Sequence, residues 1–247
     1  MVDSRILVDL SVVAGFRDRL GTRSPTTSLV AATAQLAGIH GVSFDLRGPL
    51  KKSIELDAKH VQNALSPWVQ LVLSPTSDLL DLAFEIRPAR VLIGPQQRDY
   101  TNHSPGLDLT MHKDGLRRQL VHLRESDFDV GVIIEPEPEQ IKTLHRAECS
   151  LCVLSFDGYA QARQTNQRSF ELNRLIEAHR LAKSLGMRTA VRGAIELEHC
   201  SVLSQIEGFD EVQIGGGFFG RALVVGVETA AETFRRALSA RTLSSMK

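Results

Sequence analysis

The chain has 247 residues, with 29 Lys and Arg balancing 29 Asp and Glu and 43% of positions hydrophobic. This is an ordinary globular composition, long enough for two small domains or one large α/β domain. Zero net charge supplies no global field for nucleic acid or an acidic membrane, and ten Phe, two Tyr and one Trp are too few for an evident base-stacking surface.

The opening stretch MVDSRILVDL carries Asp3 and Arg5 and reaches no long apolar run. Neither a signal peptide nor a membrane span is expected, and a cytoplasmic location is the default. From there the chain alternates short apolar runs with amphipathic stretches. Strands are predicted at Ile6–Leu10, Gly41–Asp45, Val69–Leu73, Arg90–Ile93, Asp129–Ile134, Leu151–Leu154, Arg188–Val191 and Glu211–Ile214. Helices are predicted near Thr27–Ala37, Glu55–Leu65, Thr76–Ile86, Thr110–Glu125, Pro138–Ala147, Arg168–Leu185, Leu197–Ile206 and Val227–Leu243. Pro67, Pro75, Pro88 and Gly186 punctuate the boundaries, and Pro138 suits a first helical turn. No linker or low-complexity segment divides the chain. A single (β/α)₈ TIM barrel over residues 1–247 is therefore expected, with a doubly wound open sheet as the alternative.

Cys149, Cys152 and Cys200 are an odd set, which suits a reducing compartment better than a disulfide framework. Cys149 and Cys152 form a CxxC, but at the start of a strand-like run rather than of a helix, so a structural reading is favoured. No pair of histidines has metal-ligand spacing, so a metal site is not expected; no cofactor is expected.

The last unit carries the strongest local signal, EVQIGGGFFGRA at Glu211–Ala222, where a strand runs into Gly215, Gly216 and Gly217 and then a helix. Glycines at such a junction let backbone approach a ligand, and the first helical turn presents N–H groups and a positive dipole end to an anion, with phosphate the natural occupant. Gly215, Gly217 and Gly220 also satisfy G-x-G-x-x-G. That fingerprint needs a following strand within a βαβ unit, and only a helix remains here. A phosphate turn after strand 8 of a barrel is the better reading, and close helix–strand packing is the alternative.

In a barrel the chemistry gathers at the C-terminal ends of the strands. In strand order these ends hold Asp9 and Ser11; Asp45 and Arg47; Val72 or Ser74; the loop Gly94–Gly106 with Arg98, Tyr100, Thr101, Asn102 and His103; Glu135 and Glu137; Ser155 and Asp157; Arg192 and Glu196; and the glycines. Arginines near the glycine turn suit a phosphate clamp, because guanidinium binds phosphate oxygens bidentately. Asp45 and Asp9 are the candidate acid/base groups, with salt bridges to a neighbouring arginine as the structural alternative.

Several stretches together are similar to pyridoxine 5′-phosphate synthase. They are Leu20-Gly21-Thr22 with Pro25, Gly41 with Asp45-Leu46-Arg47, Arg98 with Thr101 and Gly106-Leu107-Asp108, Glu139-Gln140-Ile141-Lys142, Gly158-Tyr159-Ala160, and Ile214-Gly215 with Gly220-Arg221-Ala222. The resemblance runs from about Arg5 to Leu238. It implies a (β/α)₈ barrel, a homo-oligomer, and condensation of 1-deoxy-D-xylulose 5-phosphate with 3-amino-2-oxopropyl phosphate. It also implies acid–base residues that this chain lacks. The catalytic histidine of strand 2 is Asp45, the strand-3 glutamate is Val72, the strand-6 glutamate is Val153 and the strand-7 histidine is Gly193. Anion-handling positions persist at Arg47, Thr101 and Gly215, and Arg192 adds a cation.

Losing one general acid–base group typically costs about 10²–10⁴-fold. The expectation is a barrel that binds a phosphorylated small molecule through Arg47, Thr101, Arg192, Gly215, Gly216 and Gly217 and does not close a pyridine ring, with Asp45 and Asp9 left for any altered chemistry. A working synthase rerouted through those aspartates, or an inactive partner of a complete synthase, are the alternatives.

Overall fold

The computed structural model describes residues 4–65, 68–97, 103–110 and 113–239. Eight parallel strands form a closed barrel in chain order: β1 (Arg5–Asp9), β2 (Gly41–Asp45), β3 (Val69–Leu73), β4 (Arg90–Ile93), β5 (Asp129–Ile134), β6 (Leu151–Ser155), β7 (Arg188–Arg192) and β8 (Glu211–Ile214). Closure is made by β1 against β8, with Arg5 opposite Glu211 and Val8 opposite Ile214. That pairing excludes the open-sheet alternative, which would leave both strands as edges.

Alternation along each strand divides the barrel into two environments. Outward side chains such as Val8, Phe44, Leu71, Ile93, Val132, Leu154 and Val212 join the large core beneath the helices. Inward side chains at mid-height, Val72, Leu92, Ile133, Leu151, Val153 and Ala190, form a separate, fully buried apolar cluster. The barrel is thus plugged rather than open along its axis, the usual state of an eight-stranded barrel. At the N-terminal end, Arg90 donates to Glu211 at 2.5 Å and to Asp129 at 2.8 Å, and its guanidinium lies 4.6 Å from the Trp68 ring centroid. Gln70 and Gln213 exchange amide hydrogen bonds of 3.0 and 3.2 Å across the interior.

Eleven helices lie among the described residues: α1 (Ser11–Leu20), α2 (Thr27–Leu36), α3 (Lys51–Leu65), α4 (Ser77–Ile86), α5 (Lys113–Glu125), α6 (Pro138–Arg146), α7 (Asp157–Gln161), α8 (Thr165–Ser184), α9 (Cys200–Leu203), α10 (Gly216–Val225) and α11 (Val227–Ser239). Each of the eight expected helical segments holds a helix within its described residues, with 111–112 and 240–243 of the predicted ranges lying outside them, but α1, α7 and α10 have no counterpart among the predicted ranges. Helix α7 is five residues long, too short for a 3.6-residue period to show. Helix α10 has apolar residues around its circumference, with Phe218 buried but Leu223 and Val224 exposed, so no amphipathic stripe marks it. The predicted Leu197–Ile206 helix is a 3₁₀ turn, Leu197–His199, followed by α9. Strand β7 runs one residue further than its apolar pattern and ends on Arg192, which turns that guanidinium into the barrel. No helix of the described residues is long and apolar enough to cross a membrane.

All three cysteines are buried and free. Burial pushes the Cys149 thiol up to about 11 and the Cys200 thiol up to about 12, and pushes Cys152 higher still, so none carries appreciable thiolate at neutral pH.

Arg90 is 1% exposed, so its carboxylate partners neutralise a cation that water cannot reach. Glu211→Ala leaves that cation short of one partner and is expected to destabilise the fold by about 3–5 kcal/mol, measured by urea denaturation.

A candidate functional site at the C-terminal mouth of the barrel

Above the apolar plug, the strand ends carry a closed network of charges. Asp45, the last residue of β2, receives two parallel bonds from Arg47: Nε to Oδ1 at 2.9 Å and Nη2 to Oδ2 at 2.7 Å. The Arg47 backbone N–H donates to the same Oδ1 at 3.1 Å. From β7, Arg192 donates to Asp9 on β1 and to Asp45 Oδ2 at 3.1 Å. Its other donors reach Ser43 Oγ at 3.1 Å, Gln213 Oε1 at 3.3 Å and Ser104 Oγ at 3.2 Å. Ser11 completes the frame by donating its N–H to Asp9 Oδ1 at 2.9 Å, while its Oγ accepts the Asp45 N–H at 2.5 Å.

Two guanidinium groups face two carboxylates, so the network is formally neutral. Burial pushes the Asp45 carboxyl up, but the charges and hydrogen bonds of Arg47 and Arg192 outweigh it and hold the group below the ordinary carboxylate range. Burial likewise disfavours charge on Arg192, and Asp9 and Asp45 more than restore it. At neutral pH these groups are locked as ions. Both salt-bridge alternatives weighed for the aspartates are realised.

A cavity of about 170 Å³ opens above this floor, and Asp9, Asp45, Arg192, His103, Gly215 and Gly216 line it. Arg47 is fully buried, and its described partners are Asp45, Ser104 and the Pro95 carbonyl. Gly215 caps the N-terminus of α10 and Gly216 begins it. Gly217 has the packing role weighed for the glycines: a Cβ there would meet the Ile195 carbonyl oxygen at 2.3 Å. The three glycines thus divide their work, two at the cavity wall and one in the contact with the loop after β7. Thr101, expected as a ligand residue, lies outside the described residues.

Val72 and Val153 belong to the apolar plug and are fully buried. Gly193, at φ 143°, lies against Asp157, whose Oδ1 would be 2.4 Å from a Cβ added there. A side chain at 193 therefore conflicts with the backbone conformation and with its neighbour together. Asp157, at the start of α7, accepts N–H bonds from Ser104 at 2.5 Å and Ala194 at 3.0 Å, tying the segment after β4 to that after β7. Glu135 accepts the Gly106 N–H at 2.7 Å. Burial pushes both carboxyls above their ordinary values. Among the described residues, no three of His, Cys, Asp and Glu gather as a metal-binding set.

Sequence reasoning identified Asp9, Asp45, Arg47 and Arg192 singly but not as one network. The Ser43, Ser104 and Gln213 contacts were missed, since a Ser or Gln on an inward strand position, or a Ser in a loop, carries no local mark of its partner across the barrel.

The family model described as "Pyridoxal phosphate biosynthesis protein PdxJ" matches residues 6–240. A curated pyridoxine 5′-phosphate synthase of Syntrophobacter fumaroxidans is 26% identical over 227 residues, covering 92% of this chain and 95% of that protein. That of Legionella pneumophila is 27% identical over 229 residues, covering 93% and 92%. Among solved structures, a 3-hexulose-6-phosphate synthase superposes with a TM-score of 0.63 at 13% identity, over 95% of this chain and 100% of that one. At that identity the likeness is one of fold.

Because the Asp45 carboxyl titrates lower folded than unfolded, its contribution to stability is fully present above about pH 4 and is lost as pH falls through the folded value. Glu135 and Asp157 have the opposite sign, so the clean measurement is the difference between parent and variant. Asp45→Asn strands part of the buried Arg47 charge and is expected to cost about 3–5 kcal/mol at pH 7. The gap narrows as pH falls below the unfolded value of about 4 and through the folded one; urea denaturation at pH 7 and at successively lower pH checks it.

Proposed function

The chain belongs to the pyridoxal phosphate biosynthesis protein PdxJ family, and from that premise we propose that it binds a small phosphorylated metabolite at the barrel mouth without carrying out the ring-closing condensation of a pyridoxine 5′-phosphate synthase. The phosphate seat is the N-terminus of α10 with Gly215 and Gly216, where backbone N–H groups and the helix dipole favour an anion. Arg192 on the cavity floor supplies positive charge, with Arg47 buried behind it; Gly217 holds the turn in place, and Thr101 is assigned to the same seat by the family resemblance alone. A homo-oligomer is part of the proposal, and the exposed pair Leu223 (73%) and Val224 (79%) on α10 is apolar surface for such an assembly to cover.

One observation carries the negative half of this reading. Val72 and Val153, where the resemblance implies a proton-transferring glutamate and a glutamate that stabilises the transition state, are members of the buried apolar cluster that fills the barrel. A hydrocarbon side chain moves no proton, and ring closure with aromatisation needs several transfers by groups of suitable pKa. Asp45 and Asp9, the candidates for altered chemistry, are engaged by guanidinium groups, and an ionised Asp45 donates no proton near neutrality. The second reading, a working synthase, is favoured by the uniform name of the curated relatives across more than nine-tenths of the chain.

The two separate in one assay. With 1-deoxy-D-xylulose 5-phosphate and 3-amino-2-oxopropyl phosphate at high protein concentration, no pyridoxine 5′-phosphate is expected by mass spectrometry; product formed in turnover amounts establishes the second reading. In calorimetry, 1-deoxy-D-xylulose 5-phosphate is expected to bind, and Arg192→Met to weaken it by about tenfold or more through loss of a charge-assisted contact.

A further inference from the structure

The segment after β4 brings Ser104 against both guanidinium groups of the mouth. Its Oγ accepts from Arg192 Nε at 3.2 Å and from Arg47 Nη2 at 3.4 Å, and its backbone N–H donates to Asp157 Oδ2 at 2.5 Å. A serine hydroxyl has two acceptor lone pairs and one O–H donor. Both lone pairs are committed to cations here, so the proton turns away from them. Among the described residues, none accepts a hydrogen bond from that O–H. Ser104 is 3% exposed and lines the cavity together with Arg192, Gly215 and Gly216.

A buried donor without an acceptor is costly, so the group that meets it decides how well a ligand fits. Two cations on the oxygen also polarise the O–H and strengthen it as a donor. The floor does not compete for it, because Asp45 already accepts twice at Oδ1 from Arg47 and once at Oδ2 from each arginine. On the same wall, His103 Nδ1 accepts from Gln161 Nε2 at 3.1 Å, which puts the ring proton on Nε2. That side chain is 45% exposed, so water can satisfy it. The buried hydroxyl is the donor whose occupant matters.

We propose that Ser104 is a specificity-determining residue of this mouth, donating its hydroxyl to a carbonyl oxygen on a ligand whose phosphate sits at the start of α10. The inference rests on the phosphate-binding reading above, which supplies the anchor. Ser104 and the glycines line one cavity of about 170 Å³, which suits a ligand of a few carbons, so the recognised oxygen lies close to the phosphate along the ligand. A carbonyl oxygen has lone pairs for the O–H and brings no charge. An ammonium or alkyl group in its place has no lone pair to offer, and a carboxylate brings a further negative charge beside Asp9 and Asp45. The class selected is a small phosphorylated ketone or aldehyde.

The test is calorimetry on the full chain with dihydroxyacetone phosphate and 3-hydroxypropyl phosphate, which differ only in a carbonyl replaced by a methylene. The parent is expected to bind the ketone about tenfold or more tightly, because the methylene probe leaves the buried O–H unmet. Ser104→Ala is expected to abolish that preference, and Ser104→Thr, which retains the hydroxyl, to keep it. Alanine also removes an acceptor from both arginines, so the readout is the ratio of the two affinities, with melting temperatures compared alongside. A general disturbance of the mouth weakens both probes alike and leaves the ratio in place. Equal affinities in the parent overturn the proposal, whether or not the alanine variant folds, and leave the phosphate reading standing. Binding of neither probe overturns both. A preference that survives in Ser104→Ala assigns it to another donor and overturns the role of Ser104.

Discussion

The mouth of this barrel is organised around the shared ion network of Asp9, Asp45, Arg47 and Arg192. Each partner is expensive to bury alone, and an isolated charge in an apolar interior would neutralise itself by shifting its pKa. Together the four satisfy one another. Arg47 forks onto both oxygens of Asp45, Arg192 bridges Asp45 to Asp9, and the serines and Gln213 take the remaining donors. The strand ends β1, β2 and β7 are thereby fastened across the barrel opening by charge-assisted bonds.

That network also defines the chemistry left to the site. A carboxylate held ionised between two guanidinium groups is a weak base and no acid at neutral pH. Beneath them the interior is hydrocarbon, with Val72 and Val153 packed against Leu92, Ile133, Leu151 and Ala190. Outward of this floor stands the wall formed by the segments after β4, β7 and β8. There Asp157 and Glu135 remain as desolvated carboxyls, and His103 remains open to the cavity. Gly193 belongs to the same arrangement, since the space a side chain would need beside Asp157 is already filled.

Much of the architecture was legible in the chain itself. Apolar runs of four to six residues alternating with amphipathic stretches mark a parallel sheet covered by helices, because strands buried on both faces need apolar side chains on both. Five of the eight strands, from Gly41–Asp45 to Glu211–Ile214, match their predicted bounds; β1 is shifted by one residue at both ends, and β6 and β7 each run one residue further. The misses are physical as well. Helices α7 and α10 lack an amphipathic period, one for want of length and the other because its apolar residues lie on every side. Residue types at the strand ends were readable too, since their place in a barrel follows from strand order.

By itself the sequence determined the fold class, the family and the identity of the groups brought to the mouth, because these depend on local periodicity and on the order of motifs along the chain. Only the tertiary structure decided what those groups do to one another. Asp9 and Arg192 are 183 positions apart in sequence yet share a salt bridge, and no local pattern records that pairing. The same holds for Gly217, turned from the cavity into a packing contact with the Ile195 carbonyl. Charge, burial and reach are properties of the assembled barrel, and they decide which side chains meet as locked ions.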